Sequence, residues 1–381
     1  IVDEGDPFNE ILFNKSINNI QSLGIFKKVE TKVQEGSQDR FKIIDLDVEE
    51  RPTGEISVSA GFGTQGGTIG AGIKENNFLG KGINLNTNLE ITEDSVKGQF
   101  VYAKPNFNYS DNTLFTSLKS SSSDFLTDSG YKTSELGFSV GTRFEQFQNI
   151  YLSPELDFLI EDLETSNKAS NTIKKQEGSY TDLYFNYSIN QDLRDKKFRT
   201  EDGFVTTFSQ ELPIVSDNSE IANSFDITKY KKFSTRSDAV GKVSFFGKTI
   251  TGLSDDVRIS KRLYIPSYRL RGFEKGKVGP VDNNDYIGGN HLTSVNMSAT
   301  LPNILEGIDN LDVGVFLDAA NIWGVDYDSS LDDKSAIRSS AGVALNLMTP
   351  IGPLSFSFAN AITKASSDKT ETFRFNLGTQ F

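Results

Sequence analysis

The carboxy-terminal segment alternates without a break. Phe373, Phe375, Leu377, Thr379 and Phe381 face one way, and Thr372, Arg374, Asn376, Gly378 and Gln380 face the other. A period of two belongs to a β-strand with one apolar and one polar face. Ile83, Leu85, Thr87, Leu89 and Ile91 repeat it against Asn84, Asn86, Asn88 and Glu90, and Leu311, Val313, Val315 and Leu317 repeat it against Asp312, Gly314, Phe316 and Asp318. Sixteen such segments run through the chain, at 54–63, 66–75, 82–93, 95–105, 112–124, 132–146, 149–162, 179–191, 202–213, 222–234, 237–249, 289–301, 309–319, 336–349, 351–361 and 371–381. An even count suits a closed antiparallel barrel whose two ends lie on one side of a membrane. The expected fold class is therefore all-β, a transmembrane barrel of sixteen antiparallel strands.

Composition bears on which solvent the apolar faces meet. The apolar share is only 36%, while Gly (32) and Phe (29) are abundant. A water-soluble sandwich or propeller would also bury one face per strand, but the Phe-rich faces and the lack of helical cover favour a cylinder with lipid outside and water inside. No run of eighteen apolar residues occurs, which excludes a transmembrane helix and leaves strands of about 9–11 residues as the means of crossing. A net charge of −13 argues against nucleic acid as a partner, because phosphate backbones need a concentrated positive face. Without cysteine there is no disulfide or thiolate chemistry. Short connections between segments 2 and 3, 4 and 5, 6 and 7, 10 and 11, and 14 and 15 lie mainly opposite the long ones after segments 7 and 11.

Residues 1–51 read differently. Asp6-Pro7 offers a helix start, Phe13, Ile17 and Ile20 form one apolar stripe ending at Gly24, and two strands are expected at 25–33 and 41–48. A helix and two strands make too small a unit to stand alone, and Glu49-Glu50-Arg51-Pro52-Thr53 forms a polar hinge to the rest. Ile1-Val2-Asp3-Glu4 has neither the basic start nor the apolar core of a signal peptide, so the chain is expected to be a fragment or a processed form.

The region 250–288 breaks the alternation with a connection too long to lack a function. Within it, Ser267-Tyr268-Arg269-Leu270-Arg271-Gly272-Phe273-Glu274 brings together a fork-shaped donor, a permissive glycine and an aromatic anchor. Leu270-Arg271-Gly272-Phe273, then Val278-Gly279-Pro280 and Gly288-Gly289-Asn290, resemble the long sixth extracellular loop of the BamA family of outer-membrane assembly factors. Phe316-Leu317-Asp318-Ala319-Ala320-Asn321-Ile322-Trp323-Gly324 and the terminal Phe381 agree in order and spacing, and the similarity runs across nearly the whole chain.

That resemblance implies several things. The domains would be a partial, periplasmic POTRA domain at 1–51 (helix, strand, strand) and a barrel at 54–381 in the bacterial outer membrane. Loop 250–288 would fold into the lumen, where Arg271 pairs with Asp318, Gly272 permits the turn and Phe273 packs on the wall. Family members offer a second acid from strand 12; here that strand carries none, leaving the contact weaker or supported by Asn296. The implied activity is the folding and insertion of other barrels, with unfolded outer-membrane proteins, accessory periplasmic lipoproteins and outer-membrane lipid as partners. Two relatives keep an alternative open: an autotransporter-assembly (TamA-like) protein, or a two-partner-secretion translocation pore.

A barrel has a free edge only where its first and last strands meet. Gly61 and Gly63 crowd the end of the first strand and Gly378 lies in the last, so pairing with Phe373, Phe375, Leu377 and Phe381 is expected to be short, because glycine weakens strand interiors. Nothing in the chain reads as a catalytic, cofactor-binding or metal site: there is no nucleophile elbow or phosphate loop, and no enzyme or cofactor is expected. His291 is the only histidine and reads as a strand residue near a loop base; Asp282-Asn283-Asn284-Asp285 and Asp332-Asp333 read as solvated loop acids. The single Trp323 suits either an interfacial anchor or loop packing.

Overall fold

The computed structural model describes residues 5–378 except 23, 38–40, 198, 235–236, 303–310, 328–329 and 350–351. The amino-terminal unit is a helix, α1 (Glu10–Ser22), followed by a hairpin of β1 (Phe26–Glu35) and β2 (Lys42–Glu50). The helix begins later than Asp6-Pro7 suggests. Its cap is Asn9, whose side-chain oxygen accepts from the backbone N–H groups of Ile11 (2.9 Å) and Leu12 (3.1 Å), so the residues before Asn9 are not needed to close the first turn. The hinge is held from both sides. Arg51 Nε donates to Gly24 O at 2.6 Å, and Asn77 Nδ2 donates to Glu50 Oε2 at 3.4 Å.

Sixteen strands then close on themselves. They are β3 (Glu55–Gly63), β4 (Gly66–Phe78), β5 (Ile83–Thr92), β6 (Ser95–Lys104), β7 (Thr113–Phe125), β8 (Tyr131–Phe147), β9 (Ile150–Thr165), β10 (Gly178–Asp192), β11 (Asp202–Ser216), β12 (Glu220–Ser234), β13 (Ser237–Gly252), β16 (His291–Pro302), β17 (Leu311–Trp323), β18 (Arg338–Thr349), β19 (Gly352–Thr363) and β20 (Phe373–Leu377). Between β13 and β16 sits a two-stranded ribbon, β14 (Val281–Asp282) and β15 (Asp285–Tyr286). Every barrel strand pairs antiparallel with its sequence neighbours, and β20 meets β3. Sequence-neighbour pairing is the shortest route to closure and leaves no exposed edge except at that last junction.

The alternation decides which side chains face out. On β8, Leu136 and Phe138 are exposed, and they lie opposite Ile160 and Phe158 of β9. Ser139, the residue after Phe138, points the other way and is buried inside. Phe225 of β12 and Phe245 of β13 touch on the outer face with ring centroids 6.3 Å apart. Such cross-strand apolar pairs give the wall a continuous lipid-compatible skin. No helix among the described residues is long and apolar enough to cross a membrane, so crossing falls to the strands.

Several boundaries differ from the sequence pattern by a few residues, as where β17 runs on to Trp323, and three departures bear on the site. β13 runs to Gly252, which moves the start of the long connection to 253; the turn-rich ribbon β14–β15 was not visible as strands; and β20 ends at Leu377. Gly378 therefore lies past the last strand rather than inside it. It has φ +97°, and a Cβ there would meet Ala60 O at 2.2 Å, so the left-handed turn itself ends the extended run. Phe381 lies outside the described residues.

Candidate functional site

The connection 253–290 lies against inward-facing residues of the barrel wall. Its apolar residues Ile265, Leu270, Phe273 and Val278 pack with Leu292 of β16 and with Ala320 and Ile322 of β17. Phe273 is 1% exposed. A second cluster joins Ile259 and Ile287 to Tyr131 and Leu163 of β8 and β9. Burying these side chains offsets the ordering of a long segment that alternation alone would leave free.

Charge fixes the tip. Arg271 meets Asp318 through a bidentate pair, Nε to Oδ2 at 2.7 Å and Nη2 to Oδ1 at 2.8 Å, and its backbone N–H donates to Oδ2 at 3.2 Å. The register explains the supporting contacts. Asn296 of β16 and Ser340 of β18 lie directly opposite Asp318 on either side, so one inward row carries an amide, a carboxylate and a hydroxyl. Asn296 Nδ2 donates to Asp318 Oδ1 at 2.8 Å and to Arg269 O at 2.7 Å, while Ser340 Oγ donates to Arg271 O at 2.5 Å. The guanidinium also covers the ring of Phe316 at 3.4 Å, a cation–π contact. An amide from strand 12 thus stands beside the acid of strand 13.

Gly272 makes the turn at φ +87°, with Ala359 Cβ and Ser340 Cβ 3.1 and 3.3 Å from where its own Cβ would lie. A side chain is disfavoured there twice, by the backbone and by the wall. Gly272→Ala is expected to destabilise the folded barrel by about 1–3 kcal/mol, read as a lower melting temperature in detergent with unchanged β-sheet content.

Further arginines hold the same connection; of these only Arg269 lies in the segment the sequence singled out, and no partner was assigned to it there. Arg258 is fully buried between Glu161 of β9, at 3.1 Å, Asp182 of β10, and Glu220 of β12, at 3.5 Å, with its guanidinium 4.3 Å from the Tyr180 ring. Burial works against its charge, but the three carboxylates outweigh burial and raise its pKa above the ordinary value. Arg262 pairs with Asp326 at 2.5 Å, and Arg269 pairs with Asp226 of β12. Arg338 of β18 bonds Asp368 (2.9 and 3.2 Å), which also accepts from Gly279 N at 3.1 Å. Burial pushes the Tyr264 phenol up to about 12, and its hydroxyl donates to Tyr286 O at 2.9 Å.

The other candidates fall elsewhere. His291 opens β16 and packs on Trp323 with ring centroids 5.4 Å apart, and Trp323 is part-buried at the end of β17. Asn283 and Asn284 form the positive-φ turn of the β14–β15 ribbon, while Asp282 accepts from Ser170 Oγ (2.5 Å) and Tyr327 OH (2.8 Å). Asp333 accepts from Val325 N at 2.8 Å. Among the described residues no group of three or more His, Cys, Asp or Glu is placed to hold a metal ion.

At the seam, backbone pairing among the described residues is confined to Asn376↔Gly63 and Leu377↔Phe62, with Thr64 N donating to Phe375 O at 3.1 Å. By contrast, β3 pairs with β4 over its whole length from Glu55 to Gly63. A Cβ on Gly63 would meet Phe375 O at 2.4 Å, so close approach of the two strands requires glycine there. Gly61 faces the turn at Gly378, whose Cβ would come within 2.9 Å of its Cα. Phe373 is exposed outside, Phe375 packs on Phe62 with centroids 6.0 Å apart, and Leu377 is part-buried.

A closed sixteen-stranded antiparallel barrel with a lipid-compatible exterior, an arginine-anchored loop packed on inward-facing wall residues and a seam briefly paired among the described residues together define a transmembrane β-barrel. The Omp85 superfamily domain matches residues 77–381, and the chain belongs to that superfamily. It is similar to the outer membrane protein assembly factor BamA of Neorickettsia risticii, with 24% identity over 100% of this chain and 52% of the relative. It is also similar to BamA of Neisseria meningitidis serogroup B, with 23% identity over 99% and 53%. The chain spans about half the length of these curated relatives. In fold it resembles the crystal structure of BamA from Haemophilus ducreyi lacking POTRA domains 1–3, at a TM-score of 0.87 and 23% identity, covering 100% of this chain and 80% of the other. CdiB from Acinetobacter baumannii has a TM-score of 0.59 at 13% identity, covering 99% and 70%.

Proposed function

We propose that the chain is the barrel-bearing part of a factor that folds and inserts β-barrel proteins into the outer membrane, and that it works through the seam rather than through bond-making chemistry. The observation that carries this is the contrast, among the described residues, between two residue pairs at the seam and a full ladder on the other side of β3. A strand edge released there offers unpaired N–H and C=O groups, and within hydrocarbon such groups must find partners. An incoming strand supplies them by β-augmentation. Both curated relatives carry the name of an assembly factor, which favours this reading over a translocation pore.

In the same reading, residues 1–51 are the carboxy-terminal part of a POTRA domain on the periplasmic side, where unfolded outer-membrane proteins and accessory lipoproteins meet it. The loop carrying Arg271, Gly272 and Phe273 then serves as a lock that keeps the lumen filled and the wall in register. The chain lacks cysteine, so Phe62→Cys with Leu377→Cys places one oxidisable pair at directly opposed seam positions. In the full-length protein, the oxidised pair is expected to lose most client insertion and to recover it on reduction. Undiminished insertion by the oxidised form would eliminate seam opening as the mechanism.

A further inference from the structure

The seam and the lumenal loop share one side chain. Asn376 pairs with Gly63 and Leu377 with Phe62, so continuing the same register sets Arg374 of β20 opposite Gln65 of the β3–β4 turn. At this position side chains take over from the backbone ladder. Arg374 is 8% exposed and points into the barrel. Its Nη1 donates to Ser267 O and its Nη2 to Phe273 O, each at 2.9 Å, and Nη2 also meets Glu371 Oε2 at 3.0 Å. Ser267 and Phe273 flank the Arg271 turn. Gln65 completes the junction: with its amide oxygen toward the guanidinium it accepts at 3.0 and 3.2 Å, and its NH2 donates to Ser267 Oγ at 2.9 Å.

We propose that Arg374 is a positioning residue that links closure of the seam to docking of the lumenal loop. The inference rests on the seam-opening reading above and adds what controls it. The loop is gripped from two sides, by Asp318 of β17 through Arg271 and by Arg374 of β20 through the carbonyls on either side of that turn. Parting β20 from β3 pulls Arg374 off Gln65 and strains its hold on Ser267 and Phe273. Undocking the loop removes two of the acceptors that keep Arg374, and with it β20, next to Gln65. Linkage between two such equilibria is reciprocal. A polar cavity of about 190 Å³ adjoins the junction, lined in part by Tyr268, Asn346, Ser355 and Asn376. Water entering there hydrates a released guanidinium, which keeps release within thermal reach.

The test reads seam separation directly. Spin labels on Ile69→Cys of β4 and Phe358→Cys of β19 sit on exposed outward positions one strand away from the junction on either side. Their distance distribution in the full-length protein in lipid reports how often the seam is parted. Arg374→Gln is expected to raise the parted fraction about tenfold, the scale of losing charge-assisted hydrogen bonds, and Gln65→Leu to raise it less. Asp318→Asn, which touches neither seam strand, is expected to raise it too. Arg374→Gln together with Asp318→Asn should add little beyond the larger single effect. Should Arg374→Gln fail to assemble, Arg374→Lys and Gln65→Leu carry the comparison. Unchanged distances in Gln65→Leu and in the assembled Arg374 variant overturn the proposal, and so does strict additivity of Arg374 and Asp318. A parted seam with undiminished client insertion supports the link while removing the mechanism proposed above, so the two ideas fail separately.

Discussion

Asp318→Lys is expected to lower the yield of assembled, heat-resistant barrel tenfold or more. The wild-type carboxylate is fully buried and accepts from Arg271 twice through the side chain and once through the backbone, and once from Asn296. Replacing it with an ammonium puts two cations where a bidentate pair stood and leaves Asn296 facing a donor. Removing one partner of a buried pair costs roughly 3–5 kcal/mol, and like charge adds to that. Marginal stability turns such a loss into a large change in folded population. A charge swap, Arg271→Glu with Asp318→Arg, is expected to recover only part, because the glutamate cannot use the face of Phe316 and Asn296 loses its acceptor. The measurement is the heat-modifiable fraction on unboiled gels after expression or refolding. Unchanged assembly of Asp318→Lys would show that the loop does not depend on this pair.

How much of this could be read before the fold was known differs from residue to residue. The strands were legible because each must present one face to lipid and one to water, and that demand writes a period of two into the chain. Asp318 was legible on the same grounds: the alternation on its strand places it inside, where a lone carboxylate needs a cation. Its pairing with Arg271 came from resemblance, since the alternation says which residues face inward but not which of them meet. Arg258 illustrates what was missed. Its partners come from β9, β10 and β12, and in sequence each is one more polar residue on a hydrated wall. Only closure of the barrel brings them to one guanidinium. The available signal was the inward position of Glu161, Asp182 and Glu220 themselves, acids on walls otherwise rich in Ser, Thr and Asn. Arg374 was correctly set on the polar face of the last strand, yet its role depends on carbonyls of a loop that has no periodicity to read. At the amino terminus the sequence pointed to Asp6 as the cap, whereas the structure uses Asn9, three residues later.

Arg258→Leu is expected to be the most destabilising single change at the root of the lumenal loop. The isobutyl group fills part of the space but leaves the carboxylates of Glu161, Asp182 and Glu220 buried around one site with no cation. Ser216 Oγ still donates to Asp182 at 2.6 Å and Tyr184 OH to Glu220 at 2.6 Å, which is too little to stabilise three negative charges in one place. The expected penalty reaches or exceeds the roughly 3–5 kcal/mol of a broken buried pair, seen as a melting temperature far below wild type or as failure to assemble. Arg258→Lys is expected to fall between, since an ammonium restores charge but neither the planar fork nor the stacking on Tyr180. The decisive comparison is Arg258→Leu combined with Glu161→Gln, Asp182→Asn and Glu220→Gln. Replacing a whole buried ion cluster with neutral groups is often nearly neutral, so the combined variant should regain most of the lost stability. If it stays as unstable as Arg258→Leu alone, shape rather than charge secures the root of the loop. The contrast with Asp318→Lys is informative in its own right. That change frees the loop tip beside the seam, whereas Arg258→Leu frees the loop where it leaves β13, so only the first should alter seam separation in proportion to its effect on stability.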